Sequence, residues 1–557
     1  MNLKKPYYIL FIILLLGVVL RFWQLGNVPV GVHRDEAFMG YEAYSMLKTG
    51  KFMSGDFLPS HSKAFLYSPA GYIYASIIPV ALFGLNAFSI RFASAASGVL
   101  SILATYYLVL MLFGKYKLKI PLALASALFL TISPWHINLS RTASENSLVV
   151  FLNILGIYFF LKWVKTSKLA HLLIYSLSFL ASLFTYQASR SFLPLLFPYL
   201  LYLTGNKFKA SKKLISIFIY ISVILLPIFA ILLNPNLNTR IRTLGLNADS
   251  GTQLKINESL TEDSISGTNI YFSRFFHNKF SGYISKFIEN YFSHFSYPFL
   301  FTDAGFPERY KVPSSGILLF SDLILIPLGL YLLIRKRKRS GKILLFWLIV
   351  APIGSSMAFD DIPNMQRTLL VFPSLSIISA YAFIQLTIKF RNNILSPRRL
   401  VTVLMLVSLT YYLHQYYIHQ IKHQPWHRQE GYQQLVNQIN KKIPEFNKAI
   451  ITNRESAPAI FFLFYGKYNP LKYLQLTANL NIKDYDRANF DKYQFSQEEC
   501  PLRLITDENG KVVPSGKSGI LYVNYFTCEN FEGVETLSII KRSDNSDIFK
   551  IVVLTNY

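Results

Sequence analysis

Apolar stretches of roughly 15–22 residues recur along this 557-residue chain, the length that a hydrocarbon layer about 30 Å thick demands of a helix. Short basic clusters separate them: Lys4/Lys5, Lys115/Lys117/Lys119, Lys162/Lys165/Lys168, Lys207/Lys209/Lys212/Lys213, Arg335–Arg339 with Lys342, and Lys389/Arg391/Arg398/Arg399. The positive-inside rule puts all of these on the cytoplasmic side, so an even number of crossings must separate successive clusters. Spans at 7–23, 90–113, 119–134, 147–163, 171–187, 190–204, 213–233, 313–334, 342–358, 367–388 and 400–417 satisfy that condition. They predict an α-helical polytopic membrane protein with about eleven crossings. Ala70–Leu85 is also apolar, but it is short and carries Pro79 and Gly84, and counting it would break the alternation from Lys115 onward. It is expected to lie flat or re-entrant on the outer face. The N-terminus has a basic start and an apolar core without a small-x-small cleavage site, so it reads as an uncleaved first span. A net charge of +26 on a soluble protein would suggest nucleic acid; dispersed between apolar runs it fits membrane topology, and no nucleic-acid partner is expected.

Four segments fall outside this scheme: a first loop at 24–89, a short loop at 135–146, a long loop at 234–312 and a tail at 418–557. In the long loop, 245–268 is polar, rich in Ser, Thr and Asn, and expected to be mobile. In 270–301 dense aromatics interleave with His, Lys and Ser, a pattern that suits the membrane interface. The division is a membrane-embedded domain, 1–417, including both outer loops, and a soluble α/β domain, 418–557. In the tail, Gly431–Ile443 reads as an amphipathic helix, Ala449–Thr452 as a strand, Ala459–Tyr465 as a buried element, and Ile520–Phe526 and Ile548–Leu554 as strands. The only cysteines, Cys500 and Cys528, lie here; a disulfide between them is plausible if the tail is outside, with two free thiols as the alternative.

The first 240 residues hold only five carboxylates: Asp35, Glu36, Glu42, Asp56 and Glu145. The topology puts all five on the outer side, opposite most of the basic residues. Asp35–Glu36 follows the turn residues Gly26, Pro29 and Gly31 and opens a helix expected at Glu36–Lys48, where the dipole favours acids. The plain reading is a cap with Arg34 as local partner; the functional one is a general base facing the outer leaflet, its neighbour positioning it. Glu145 stands four residues after Arg141, which allows a helical pair, or a second acid that binds a hydroxylated substrate. Arg91, Arg190 and Arg367 sit at outer ends of spans, where the charge rule predicts few arginines. Snorkelling to headgroups explains any one of them; a bound phosphate, gripped by guanidinium forks, explains the set. His419, His423 and His427 share i, i+4, i+8 spacing after His414. With Pro425 between them and no carboxylate before Glu430, they read as an interfacial linker in preference to a metal site. No Walker loop, G-x-S-x-G, H-E-x-x-H or paired C-x-x-C occurs.

The ordered set of motifs resembles the GT-C superfamily of polyprenyl-linked glycosyltransferases, in the branch of protein O-mannosyltransferases and lipid A aminoarabinose transferases. The matching pieces are Asp35–Glu36, Tyr67-Ser-Pro-Ala-Gly-Tyr with Leu82-Phe-Gly-Leu, Arg91, Ser133-Pro-Trp-His with Arg141 and Glu145, and Gln366-Arg367-Thr-Leu-Leu-Val-Phe-Pro373. They cover roughly 20–390. The family's Lys-Pro-Pro-like run is replaced by Ser68-Pro69, with Lys63 upstream. The resemblance implies a polyprenyl-phosphate sugar donor at the outer leaflet of the cell membrane and a lipid, glycan or protein acceptor. It implies transfer with inversion, with Asp35 as base and Glu36 and Glu145 positioning sugar or acceptor. Arg91, Arg141, Arg190, Arg367, Lys63 and Tyr67 are then the substrate-binding candidates, Arg367 foremost. Some relatives use a divalent metal; two adjacent acids without D-x-D spacing argue for no cofactor here. A flippase for a lipid-linked saccharide would share the spans and arginines, but no internal repeat supports a transporter. A non-catalytic scaffold would leave the acids and outer arginines unexplained.

Overall fold

The computed structural model describes residues 4–204, 210–390, 396–478, 485 and 487–555; Lys207, Lys209 and Arg391, used above to orient the chain, lie outside them. Two compact units result. One comprises Met1–Trp23, Ser94–Ser140 and Glu145–Gln415, the other Gln24–Ala93, Arg141–Ser144 and Tyr416–Tyr557. The first loop, assigned above to the membrane domain, is therefore compact with the tail.

In the first unit each of the eleven expected segments contains a helix, from Lys4–Phe22 through Ala87–Leu112 and Glu145–Thr166 to Phe372–Lys389 and Pro397–His414. Among the described residues four helices are long and apolar enough to cross a membrane by themselves: Ala87–Leu112, Glu145–Thr166, Ala210–Leu233 and Leu369–Lys389. This apolar set gives the chain its membrane location. A fifth crossing would be a broken one. Lys119–Thr131 and Pro134–Ser140 meet at 58°. Carbonyls at the end of a helix have no helical donor; here the Arg21 guanidinium serves them, Nη1 donating to Thr131 O (3.3 Å) and Nη2 to Leu130 O (3.2 Å), while Nη2 also meets His136 Nδ1 at 2.8 Å. Arg21 is wholly buried. A charge in that setting persists only when its donors are engaged. The polar segment expected to be mobile is a helix, Ser250–Ile265, started by Asp249, whose carboxylate accepts from Gly251 N and Thr252 Oγ1. Capping of this kind outweighs a polar composition.

The second unit is built on a five-stranded sheet. β1 (His61–Ser62) and β2 (Ser68–Pro69) form a small hairpin in the first loop. In the tail, β3 (Lys448–Thr452), β4 (Tyr493–Ser496), β5 (Leu504–Thr506), β6 (Val512–Pro514), β7 (Ile520–Tyr525), β8 (Val534–Lys541) and β9 (Asp547–Leu554) follow. The sheet order is β4-β3-β7-β9-β8, parallel across β3 and antiparallel from β7 to β8; β5 and β6 pair separately. The central β7 reads Ile-Leu-Tyr-Val-Asn-Tyr, a nearly continuous buried run as expected for a strand covered on both faces. Helix Tyr432–Lys442 lays Tyr432, Leu435, Val436 and Ile439 inward, and Tyr432 stacks on Phe461 of helix Ala459–Tyr465 at 4.2 Å. Helix Arg34–Thr49 packs on the latter helix at Gly40, where a Cβ would come within 2.8 Å of the Phe464 ring. Helix Gly71–Phe83 is 13 residues long, about 20 Å at 1.5 Å per residue, which is short of a bilayer crossing.

Cys500 and Cys528 are joined, closing a loop with a sequence separation of 28. Loop closure of that size is worth about 3–4 kcal/mol in the unfolded-state model. Replacing both cysteines by serine is expected to lower the unfolding temperature of the tail measurably, and peptide mapping without reductant is expected to return the linked pair.

Candidate functional site

The sequence candidates divide between the two units. In the second unit His33 caps helix Arg34–Thr49: its Nδ1 accepts from Asp35 N (3.2 Å), and Glu36 reaches back to accept from His33 N (3.2 Å). This capping box turns Glu36 inward. There it meets Arg91, whose Nε donates to Oε1 (3.1 Å) and Nη2 to Oε2 (3.0 Å). Ala143 N donates to Oε1 at 2.6 Å. The rest of the guanidinium is spent on carbonyls: Leu25 O (3.2 Å), Pro29 O (2.9 Å) and Gly31 O (2.5 Å). Gly31 has φ +69 and a Cβ there would lie 2.9 Å from Arg428 O, so only glycine fits. Five N–H groups thus have five acceptors, and Arg91 is 0% exposed. Nothing is left for a phosphate, which corrects its place among the substrate ligands. Glu36 is corrected likewise: with four donors on its carboxylate and 3% exposure it cannot touch sugar or acceptor. Burial pushes its carboxyl up, but the Arg91 charge and hydrogen bonds, Ala143 N–H and the Arg428 charge together hold it below the usual carboxylate range.

Arg141 is also wholly buried. Nη2 donates to Val28 O (2.9 Å), Nε to Tyr416 Oη (3.3 Å), and the guanidinium lies 5.4 and 5.2 Å from the Tyr416 and Tyr417 ring centres. It falls in the break between helices Pro134–Ser140 and Glu145–Thr166, not on one continuous helix with Glu145. Arg141, too, holds backbone and is not open to substrate. The acid left accessible is Asp35. Its side chain is 22% exposed, with His33 Nδ1 at 3.5 Å and Arg34 Nε at 3.7 Å.

Lys63 and Tyr67 lie in the loop of the β1–β2 hairpin. Lys63 Nζ donates to Asp56 Oδ1 at 2.7 Å, and Leu66 and Tyr67 are both in the left-handed region, φ +47 and +52. Strain of that kind at consecutive residues with side chains is a mark of function when the surroundings enforce it. The base of the hairpin is held by Glu42, which accepts from Ser62 Oγ (2.5 Å) and Met53 N (2.7 Å). Burial pushes the Glu42 carboxyl up to about 7, aided by the Asp56 charge, although both hydrogen bonds oppose the shift.

In the first unit Glu145 opens helix Glu145–Thr166 and is largely buried. Tyr186, in the turn before Arg190, lies in the electrostatic field of Arg367, Glu145, Arg240 and Tyr310. Arg190 donates from Nε to Leu183 O (3.1 Å) and stands in the field of Arg240. Arg367 is held by an Asx turn in which Asn364 Oδ1 accepts from Gln366 N and Arg367 N. Asp360 takes two of its five donors, Nη1 bonding to the backbone O (2.8 Å) and Nη2 to Oδ1 (3.1 Å). The segment is fixed from beneath: Trp135 Nε1 donates to Met365 O, and Asn364 N to His294 Nε2. Burial lowers His294 to about 4, which leaves it neutral and able to accept. Sequence reasoning missed Arg240, Tyr186, Arg309 and the Asp360–Asp361 pair. The acid pair, six residues before Arg367, was the available signal. Asp361 has φ +50, and burial followed by the Asp360 charge raises its carboxyl. Among the described residues no group of three His, Cys, Asp or Glu side chains gathers to hold a metal. The histidine face does not form either, because the helix ends in a turn after His419.

Over its whole length the structure shares its fold with ArnT. It matches ArnT from Cupriavidus metallidurans bound to undecaprenyl phosphate with TM-score 0.54, 13% identity and 100% coverage of both chains. It matches the apo form with 0.52, 11% identity, 100% of this chain and 99% of that one. The oligosaccharyltransferase of Archaeoglobus fulgidus tethered with an acceptor peptide matches at TM-score 0.49 and 15% identity over 83% of this chain and 63% of that one, so the chain spans less than two thirds of its length. Residues 68–233 match the sequence family described as Dolichyl-phosphate-mannose-protein mannosyltransferase. No curated protein matches the chain. The family matched over 68–233 is described as a mannosyltransferase, in the branch that the motifs resemble.

Arg91→Met is expected to destabilise the second unit by about 3–5 kcal/mol, the cost of stranding a buried partner charge, as read by thermal unfolding. Because folding depresses the Glu36 pKa, the pair's contribution is complete above the unfolded value near ~4.3 and fades as pH falls through the folded one. Glu42 has the opposite sign. Its stabilising influence is complete below the unfolded pKa and is lost as pH rises through about 7. Glu42→Gln is expected to flatten the pH dependence of unfolding between these limits.

Proposed function

We propose that the chain is an integral membrane glycosyltransferase. It moves a sugar from a polyprenyl-phosphate donor to an acceptor hydroxyl at the outer face of the cell membrane, with its eleven helical segments as crossings and its tail extracytoplasmic. The observation that carries this reading is Arg367. Its guanidinium is only part-engaged by Asp360, is fixed by Asn364, and shares the field of Tyr186 with Glu145 and Arg240. An anion is what such an arrangement accommodates.

The acceptor oxygen attacks the anomeric carbon as the bond from that carbon to the phosphate oxygen breaks. The bonding pair leaves with the lipid phosphate, and Arg367, with Arg190 and Arg240, stabilises the returning charge. The hydroxyl proton passes to a carboxylate, for which Asp35 is our assignment; Glu145 positions sugar or acceptor, and Lys63 and Tyr67 on their strained hairpin contact one of the two. One displacement inverts the anomeric centre. Glu36 acts through Asp35, as the residue that locks its helix. The undecaprenyl phosphate bound to the fold relative accords with a lipid phosphate ligand.

Transfer of radiolabelled sugar from polyprenyl-phosphate donors by the purified protein tests this. Asp35→Asn is expected to lower turnover by about 10²–10⁴-fold, the usual worth of a general base, with thermal stability retained. Arg367→Gln is expected to weaken donor use by about 10–100-fold. Equal turnover by wild type and Asp35→Asn would remove Asp35 as the base, and absence of donor consumption across a broad panel would favour translocation of the lipid instead.

A further inference from the structure

Helix Lys279–Ser293 in the long outer loop is amphipathic with its faces reversed. Its one buried residue is polar: Asn290, 2% exposed, donates from Nδ2 to Ala358 O (2.8 Å) and Ser356 O (3.4 Å), and His294 just beyond is 3% exposed. Its outward side is apolar. Phe280, Ile284, Ile288 and Phe292, at i, i+4, i+8 and i+12, are 77, 41, 46 and 65% exposed. The preceding helix, Ile270–Phe276, adds Phe272 and Phe275 at 64 and 73%. A continuous exposed apolar face of this size requires a non-aqueous neighbour. Arg274, Lys279 and Lys286 flank it, which suits phosphate headgroups. At 15 residues the helix is about 22 Å long, and with Lys279, Lys286 and Glu289 along it, it is too short and too charged to cross.

We propose that this helix lies flat in the outer headgroup boundary of a phospholipid bilayer and, through Asn290 and His294, sets the depth of Arg367. The coupling is short and made of hydrogen bonds. Asn290 holds the carbonyls of Ser356 and Ala358, His294 Nε2 accepts from Asn364 N at 3.2 Å, and the Asn364 side chain accepts from Arg367 N at 2.9 Å. A helix resting at headgroup level therefore fixes the guanidinium in the stratum where a lipid phosphate lies. The coupling to Arg367 rests on the glycosyltransferase reading; the docking of the helix does not.

The native cysteines are bonded to each other, so a single introduced thiol can be labelled in the full-length protein in nanodiscs of anionic phospholipid. Fluorophores at F280C, I284C and F292C are expected to lose emission to nitroxide-bearing lipids and not to iodide; one at E289C, which is exposed beside them, is expected to show the reverse. Iodide quenching at the three apolar positions would overturn the proposal. Protection from both quenchers would also overturn it, since the face would then be covered by protein. The quenching needs no activity, so it stands if no donor is consumed. Where a donor is consumed, Asn290→Ala is expected to raise the KM for the long-chain donor about tenfold at unchanged kcat, with the label at 280 still lipid-quenched. An unchanged KM would overturn the coupling.

Discussion

The ion pair between Glu36 and Arg91 is the interaction on which the second unit depends. It gathers the turn at 25–31, the start of the helix carrying Asp35, the head of the helix carrying Arg91 and the break at 141–144 into one saturated network. A buried charge pair is a weak source of net stability, because desolvation offsets attraction. What it provides is uniqueness. In this arrangement each of the five guanidinium N–H groups has an acceptor. Asp35 is thereby placed on a helix whose first turn cannot shift, which is the condition for an acid at a solvent-facing rim to act on a substrate.

The first unit meets the same need by different means. Arg367 is held by neutral groups, Asn364, His294 and Trp135, and shares its charge with Asp360 only in part. The contrast between the two arginines is instructive: one is spent, the other is poised. The sequence around Arg91 is apolar and that before Arg367 carries Asp360, Asp361 and Asn364, but it is the acceptor count that separates the two roles.

That contrast also marks what could be read without coordinates. The helical segments, the helix after Asp35, the tail helices and most tail strands follow from periodicity and charge, because burial of an apolar face is a local property. The helix inside the polar segment 245–268 is not legible from composition, because a capping aspartate does not register there. Arg91 reads as a ligand because an arginine at an outer span end is unusual, and Arg141 because the family resemblance includes it. Their true partners are backbone carbonyls tens of residues away, and nothing in a sequence announces a carbonyl as an acceptor. Arg240 was passed over for the opposite reason, lying in a loop where arginine is ordinary.

The bend capped by Arg21 has a consequence for how the chain is made. The acceptors that satisfy this guanidinium, Leu130 O, Thr131 O and His136, lie 109 to 115 positions further along, so they emerge long after the first helix has been handed to the bilayer. Until then the guanidinium lacks these three acceptors and has the Gly17 carbonyl one turn back in its own helix (3.3 Å). The first helix thus gains its long-range hydrogen bonds only when the broken pair has been made, so one residue ties the start of the chain to a bend more than a hundred positions later.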